Sequence, residues 1–286
     1  MDRERVIVVA EMSANHCQRF DTAVEIVLAA YWAGADAVKV QMFTPDSMTL
    51  NSRDDEFIVK DGLWKGKSLY ELYSAACMPY EWVPKLKEIA EELGMFFFTS
   101  VYDLDTVDVC EEMGMPAYKI SSFEIPHIPL IEKVAKTGKT VIISTGMAEY
   151  EEKWKALRTA RNHTKDVWLL HCVSQYPANP KDMNLRTIME LGRYCSGRCG
   201  LSDHSLGLAV PTVAVGMGAR MIEKHIKVNN NGLDAGFSLT PQEFRDMIQS
   251  VRLAEASIGV CKHGGEKKYR RLERDGKWIR TVGQGK

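Results

Sequence analysis

"DTAVEIVLAAYWAGADAVKVQMF", residues 21–43, holds one complete helix-to-strand step. Asp21 opens an amphipathic run over 21–33, and the glycine of "AGAD" stops it. The following "AVKVQMF" (37–43) is apolar and rich in valine, broken only by Lys39 and Gln41. Those two stand two positions apart, so in a strand both face the same way. A strand this apolar, fed by a helix, belongs in a parallel sheet covered on both faces.

The same step recurs in both directions along the chain. Strand-like runs are "VIVVAE" (6–11), "MFFFTS" (95–100), "AYKISS" (117–122), "TVIISTG" (140–146), "VWLLHCVS" (167–174), "CGLSDHS" (199–205) and "RMIEKHI" (220–226). Helical patterns lie between or after them at 80–93, 103–113, 127–136, 182–194, 207–218 and 240–259. Eight such units predict an α/β fold, a (β/α)8 TIM barrel over residues 1–260, followed by a basic tail or linker over 261–286. One connection is long. Residues 44–79 carry Trp64, Tyr70 and Tyr73 and are expected to line a lid over the mouth, because long loops after barrel strands sit on the catalytic face.

The charge balance excludes several classes of function. Lysine and arginine total 37 against 38 acidic residues, so no global field points to nucleic acid or membrane. The local exception is 262–286, with nine basic and three acidic residues, read as a solvated tail. No leader peptide and no membrane-length apolar run is visible, and seven cysteines suit a reducing, cytoplasmic setting. Cys195 and Cys199 are the one close pair and lack two further partners for zinc.

Barrel chemistry sits at the C-terminal strand ends. Read in order, those ends supply Glu11, Lys39 with Gln41, Thr99, Lys119 with Ser122, Ser144, Ser174, Ser202 with His204, and Glu223 with His225. Each alone is unremarked in a strand, but together they form a polar ring that would cost several kcal/mol per charge to bury without partners or a ligand. Two ammonium groups among hydroxyls suit a small phosphorylated carboxylate. His204 and His225, on neighbouring strands, are placed to share one divalent ion, with water and substrate oxygens completing it. Glu11 stands beside strand eight, and with Glu223 it provides carboxylates for proton transfer. No P-loop, dinucleotide fingerprint, H-E-x-x-H or G-x-S-x-G is present.

The stretches "AEMSANH", "ADAVKVQMFTPDSMTL", "LWKGKSLYELY", "AYKISSFEI", "VIISTGMA", "SQYP", "GLSDHSLG" and "EKH…GLDAGFSL" resemble the sialic acid synthase family, and its pseudaminic acid branch most. The resemblance is collinear over about residues 5–260. It implies a barrel that condenses phosphoenolpyruvate with an amino-sugar aldehyde, releasing phosphate with the help of Mn2+ or Mg2+. By motif, His204 and His225 would hold the metal. Lys39, Thr99, Lys119, Ser122, Ser144, Ser174 and Ser202 would cradle phosphoenolpyruvate. Gln41, Tyr176 and Asp234 would bind the sugar, and Glu11 would manage protons or position water. The neuraminate and legionaminate synthases, a Schiff-base aldolase using Lys119 or Lys39, and an inactive sugar-binding relative are the alternatives.

Three departures from the family accompany the match. Its "NHNG" is "NHCQ" here, so a glycine is replaced by Gln18. The connection from His225 to Asp234 is shorter by about two residues. The family's small antifreeze-like domain is not seen after the basic segment, so a substrate contact it supplies would be missing or come from a homodimer mate or another chain.

Overall fold

The computed structural model describes residues 5–261 and 269–282. Two compact units divide the chain, Met1–Glu255 and Ala256–Lys286.

In the first unit eight parallel strands close into a barrel in sequence order. They are β1 (Ile7–Glu11), β2 (Ala37–Met42), β3 (Phe96–Val101), β4 (Ala117–Ile120), β5 (Thr140–Ser144), β6 (Val167–Cys172), β7 (Cys199–Asp203) and β8 (Met221–His225). β8 pairs back to β1 in register, with Val9 opposite Glu223 and Glu11 opposite His225. The helices are α1 (Phe20–Ala33), the single turn α2 (Pro45–Met48), α3 (Leu69–Ala76), α4 (Val83–Glu92), α5 (Leu104–Glu112), α6 (Ile128–Lys136), α7 (Tyr150–Arg161), α8 (Thr187–Tyr194), α9 (Ala209–Gly216) and α10 (Pro241–Ile258).

Local chemistry sets these boundaries. Gly34 closes α1 with φ +91°, its N–H reaching the carbonyls of Ala30 and Tyr31. Asp103 caps α5 by accepting from Thr106 N at 2.8 Å. Four strands, β4 to β7, stop two residues sooner than their apolar runs predict, leaving Ser122, Gly146, Ser174 and His204 beyond the ladder. Side chains take over there: Gly146 N–H donates to Ser122 Oγ at 3.0 Å. The region expected to be helical from 182 begins only at Thr187, after a 3-10 turn over Pro180–Asp182.

Strand alternation builds two environments. Val8, Val38, Phe97, Tyr118, Ile143, Leu169, Leu201 and Ile222, one per strand, face the helices in the main core. Val9, Ala37, Phe98, Ala117, Ile142, Leu170 and Met221 fill the barrel interior as a separate apolar layer. Gly200 completes that layer on β7, where an added Cβ would meet Met221 O at 2.2 Å. Among the described residues no helix is long and apolar enough to cross a membrane.

In the second unit the expected tail differs from a plain linker. Residues 262–268 and 283–286 lie outside the described residues, but β9 (Tyr269–Arg274) and β10 (Lys277–Val282) pair antiparallel. The connection is Asp275–Gly276, both at positive φ (53° and 72°), the two-residue turn that matches strand twist.

Candidate active site

The site begins one inward step above the apolar layer. Moving two residues along each strand replaces it with Glu11, Lys39, Ser100, Lys119, Ser144, Cys172, Ser202 and Glu223. All eight are buried. Pairing brings them into one ring: Glu11 faces Lys39, Ser100 faces Lys119, and Ser202 faces Glu223. Seven of the eight, all but Glu11, line a cavity of about 560 Å3 that also includes Gln41, Ser122, Tyr176, His204, His225 and Asp234.

Charge is balanced within the ring. Lys39 Nζ sits 2.7 Å from Glu11 Oε2 and 3.7 Å from Glu223 Oε1, and donates to Ser100 Oγ at 2.8 Å. Lys119 Nζ lies 3.5 Å from Glu223 Oε1, which also accepts from Ser202 Oγ at 3.0 Å. Gln41 Nε2 donates to Glu11 Oε1 at 2.8 Å and to Ser13 Oγ at 3.1 Å. Burial raises the Glu11 carboxyl, with Lys39 opposing and Glu223 adding to the rise. Burial lowers the Lys119 amine, and Glu223 only partly restores it. Burial also works against the charged forms of Lys39 and Glu223, but the neighbouring carboxylates raise Lys39 and the two lysines lower Glu223. The ring therefore holds its ion pairs while leaving acceptor and donor capacity for a ligand: Glu223 Oε2 and Ser144 Oγ are buried without a hydrogen-bond partner.

Above the ring stand the two imidazoles, their ring centres 5.2 Å apart. The Nδ1 of His204 lies 3.2 Å from the Val173 carbonyl, a contact that makes Nδ1 the donor. Burial works against its charged form, but Cys172 and the Val173 carbonyl raise the imidazole, so Nε2 becomes a lone-pair donor to a metal on loss of its proton. His225 Nδ1 is buried without a hydrogen-bond partner, 4.0 Å from Asp234 Oδ2. Burial, His204 and the nearby lysines hold His225 well below the ordinary imidazole range, hence neutral and able to ligate. Among the described residues no three His, Cys, Asp or Glu side chains gather into a metal-holding set. The imidazole pair fits a divalent ion with several positions left to water and substrate.

Asp234 reaches the cavity despite the short preceding loop. It accepts from Ser13 Oγ at 2.5 Å and from Ala14 N–H at 3.3 Å, while burial raises its carboxyl. The loop packs tightly here: a Cβ on Gly232 would come 2.3 Å from Asn15 Oδ1. Tyr176 stacks between Trp64 (5.9 Å), Phe237 (5.1 Å) and His204 (4.6 Å). The replaced glycine is tolerated at some strain. Cys17 and Gln18 both take φ +54°, and the Gln18 amide donates to the carbonyls of Ala75 (3.1 Å) and Cys77 (2.5 Å).

Three expected residues lie elsewhere. Thr99 points out of the barrel, donating to Val40 O and Ser100 O, because β3 turns Phe98 and Ser100 inward. Its place in the mouth belongs to Ser100. Ser174 stands at the rim behind Gly146, where an added Cβ would come 2.7 Å from Ser174 Oγ and 2.9 Å from Ser122 Oγ, and it does not line the cavity. Tyr70 is on the outer side of α3, its hydroxyl on Asp46 at 3.2 Å, while Trp64 and Tyr73 do line the cavity.

Sequence reasoning missed Ser13, Ser100, Cys172 and Glu124, all cavity-lining. The parity of "MFFFTS" against its neighbours identifies Ser100. Cys172 lies 3.8 Å from His204 Nδ1; burial pushes its thiol up, but His204, Ser122 and Lys119 outweigh it and the thiol falls below its ordinary range. Burial pushes Glu124 up to about 7, opposed by its own backbone amide and Lys119.

A family model, described as the NeuB family, matches residues 26–263. The chain belongs to the NeuB family. Within it, this NeuB chain is 41% identical to the pseudaminic acid synthase of Campylobacter jejuni over 259 residues, 90% of this chain and 76% of that one. It is 36% identical to the N,N'-diacetyllegionaminic acid synthase of Legionella pneumophila, over 91% and 74% of the two chains. The N-acetylneuraminic acid synthetase structure from Leptospira borgpetersenii superimposes with a TM-score of 0.80 at 28% identity, covering 92% and 88%.

Proposed function

We propose that this protein condenses phosphoenolpyruvate with a 2,4-diacetamido-trideoxy-hexose aldehyde and water, giving a nonulosonic acid of the pseudaminic type and inorganic phosphate. The observation that carries the reading is the mouth itself: two buried lysines, paired carboxylates and two imidazoles surround one cavity in a NeuB-family barrel. The greater likeness to the Campylobacter pseudaminic acid synthase than to the legionaminic acid synthase favours that sugar.

Lys39 and Lys119, with Ser100, Ser122, Ser144 and Ser202, bind the phosphate and carboxylate of the enol. Gln41, Tyr176 and Asp234 hold the sugar so that its aldehyde carbon meets C3 of the enol. A C–C bond forms there, water adds its oxygen at C2, and phosphate departs with the C2–O bond. Mn2+ or Mg2+ held by His204 and His225 supplies Lewis-acid polarisation of the aldehyde when bound. Glu11, its carboxyl raised by burial and set behind Lys39, manages protons for the aldehyde oxygen or the attacking water through that lysine, and Glu223 favours the charged form of both lysines and aims them. The preorganised donors contribute most of the rate, each worth about 3 kcal/mol. We read the seven unbridged cysteines as fitting a reducing, cytoplasmic setting.

The test is phosphate release from phosphoenolpyruvate with Mn2+ and a panel of 2-acetamido and 2,4-diacetamido hexoses. Release is expected with the diacetamido sugar, and its loss with EDTA or in a His204→Ala/His225→Ala variant. Metal-independent turnover with borohydride-trappable pyruvate on Lys119 would replace this reading with an amine aldolase.

A further inference from the structure

The connection between β2 and α4 contributes a second, chemically opposite wall to the cavity. Between residues 44 and 79 the lining side chains are Met48, Trp64, Leu69, Leu72, Tyr73 and Ala76, without a charged group among them. Four of these belong to α3 at spacing i, i+3, i+4 and i+7, which is one helix face. An amphipathic helix ordinarily turns such a face to the core. Here it borders the space above Lys39, Lys119 and Glu223.

The face is held in place. Ser68 and Glu71 form a reciprocal cap at the start of α3, with Ser68 Oγ accepting from Glu71 N at 3.2 Å. At its end Gln18 holds the carbonyls of Ala75 and Cys77, and His16 Nε2 lies 3.2 Å from Ala76 O. Tyr73 packs edge-on against Phe43 at 5.9 Å, and Trp64 Nε1 donates to Leu233 O at 3.0 Å. A wall tethered at both ends is preformed for its ligand rather than shaped by it.

We propose that the Leu69–Leu72–Ala76 face of α3 is the specificity wall of the site: it takes the two methyl groups that set the aldehyde substrate apart, that of its 4-acetamido substituent and its deoxygenated terminal carbon. This rests on the synthase reading and assigns its sugar selectivity to named residues. Charge complementarity sets the orientation. The anionic enol occupies the lysine side, so the aldehyde's far end meets the apolar side. A sugar hydroxyl turned against leucine loses water without gaining a partner, whereas a methyl group gains contact. Discrimination of about tenfold or more between a deoxy, N-acylated sugar and its hydroxylated counterpart follows.

The experiment compares kcat/KM for phosphate release with a 2,4-diacetamido-trideoxy-hexose and with N-acetylmannosamine, in the wild-type chain and in Leu72→Asn. The variant should lose about tenfold with the deoxy sugar and stay within about twofold with N-acetylmannosamine and in KM for phosphoenolpyruvate. Equal losses with both sugars, or no loss with either, overturn the proposal. Leu72 is buried, so circular dichroism checks folding, and the half-buried Leu69→Gln gives the same comparison if Leu72→Asn fails to fold. Wild-type silence with both sugars refutes the synthase reading instead. In that event calorimetry on the wild-type chain decides the wall separately: tighter binding of the deoxy sugar upholds it, and equal binding of the two ends it.

Discussion

Two layers of the same barrel, one residue pair apart, obey opposite rules. The lower one, from Val9 round to Met221, is apolar and closed. The upper one, from Glu11 round to Glu223, is ionic and equally buried. The lower layer stabilises through area and packing, at roughly 25 cal/mol per Å2 of apolar surface removed from water. The upper layer gains little stability, since desolvation offsets most of its Coulombic attraction. Its worth lies in holding charge ready for a ligand. The difference teaches that depth in this barrel does not separate core from site; position along the strand does.

The comparison breaks most visibly at Lys119. Lys119→Met should cut kcat/KM for phosphoenolpyruvate by about 10³-fold while the melting temperature moves by only a few degrees, because a mouth cation serves the ligand more than the fold. A large loss of stability with activity retained would erase the distinction. Phe98→Ala in the lower layer should do the reverse, costing about 3–5 kcal/mol in urea unfolding while the folded fraction keeps its kcat. The parity argument is sharpened by a gentler pair on β3. Ser100→Ala removes the hydroxyl that Lys39 holds and should cost about tenfold in kcat/KM, whereas the outward Thr99→Val should stay within about twofold.

The smallest effect is a pH slope. Glu124 titrates at about 7 in the folded chain because burial raises it. The folded state therefore holds this proton more tightly than the unfolded one, so its contribution to stability is full below the ordinary carboxyl range and is lost as pH rises to about 7. Melting temperature measured against pH should fall more steeply across that window in the wild-type chain than in Glu124→Gln. Parallel curves would show that the carboxyl is not so held.

Much of the site could be read before any coordinates because a strand repeats every two residues. Lys39 with Gln41, Ser202 with His204, and Glu223 with His225 each follow from that period, and all six line the cavity. Thr99 failed by one residue for the same reason. "MFFFTS" offers no internal cue to which set faces inward, and only pairing with β2 and β4 decides it. The tail reading missed a hairpin whose Asp275–Gly276 turn was present in the sequence, hidden by a composition dominated by charge.

What the chain's sequence determined alone was the barrel, the C-terminal rim as the place of chemistry, and the residue types gathered there, since periodicity and turn residues are local properties. Tertiary structure decided which carboxylate each lysine meets, how Asp234 comes within 4.0 Å of His225, and that α3 turns its leucines to the cavity. Those facts depend on strand register and on docking between segments far apart in the chain, and no local pattern encodes a distance between residues that meet only on folding.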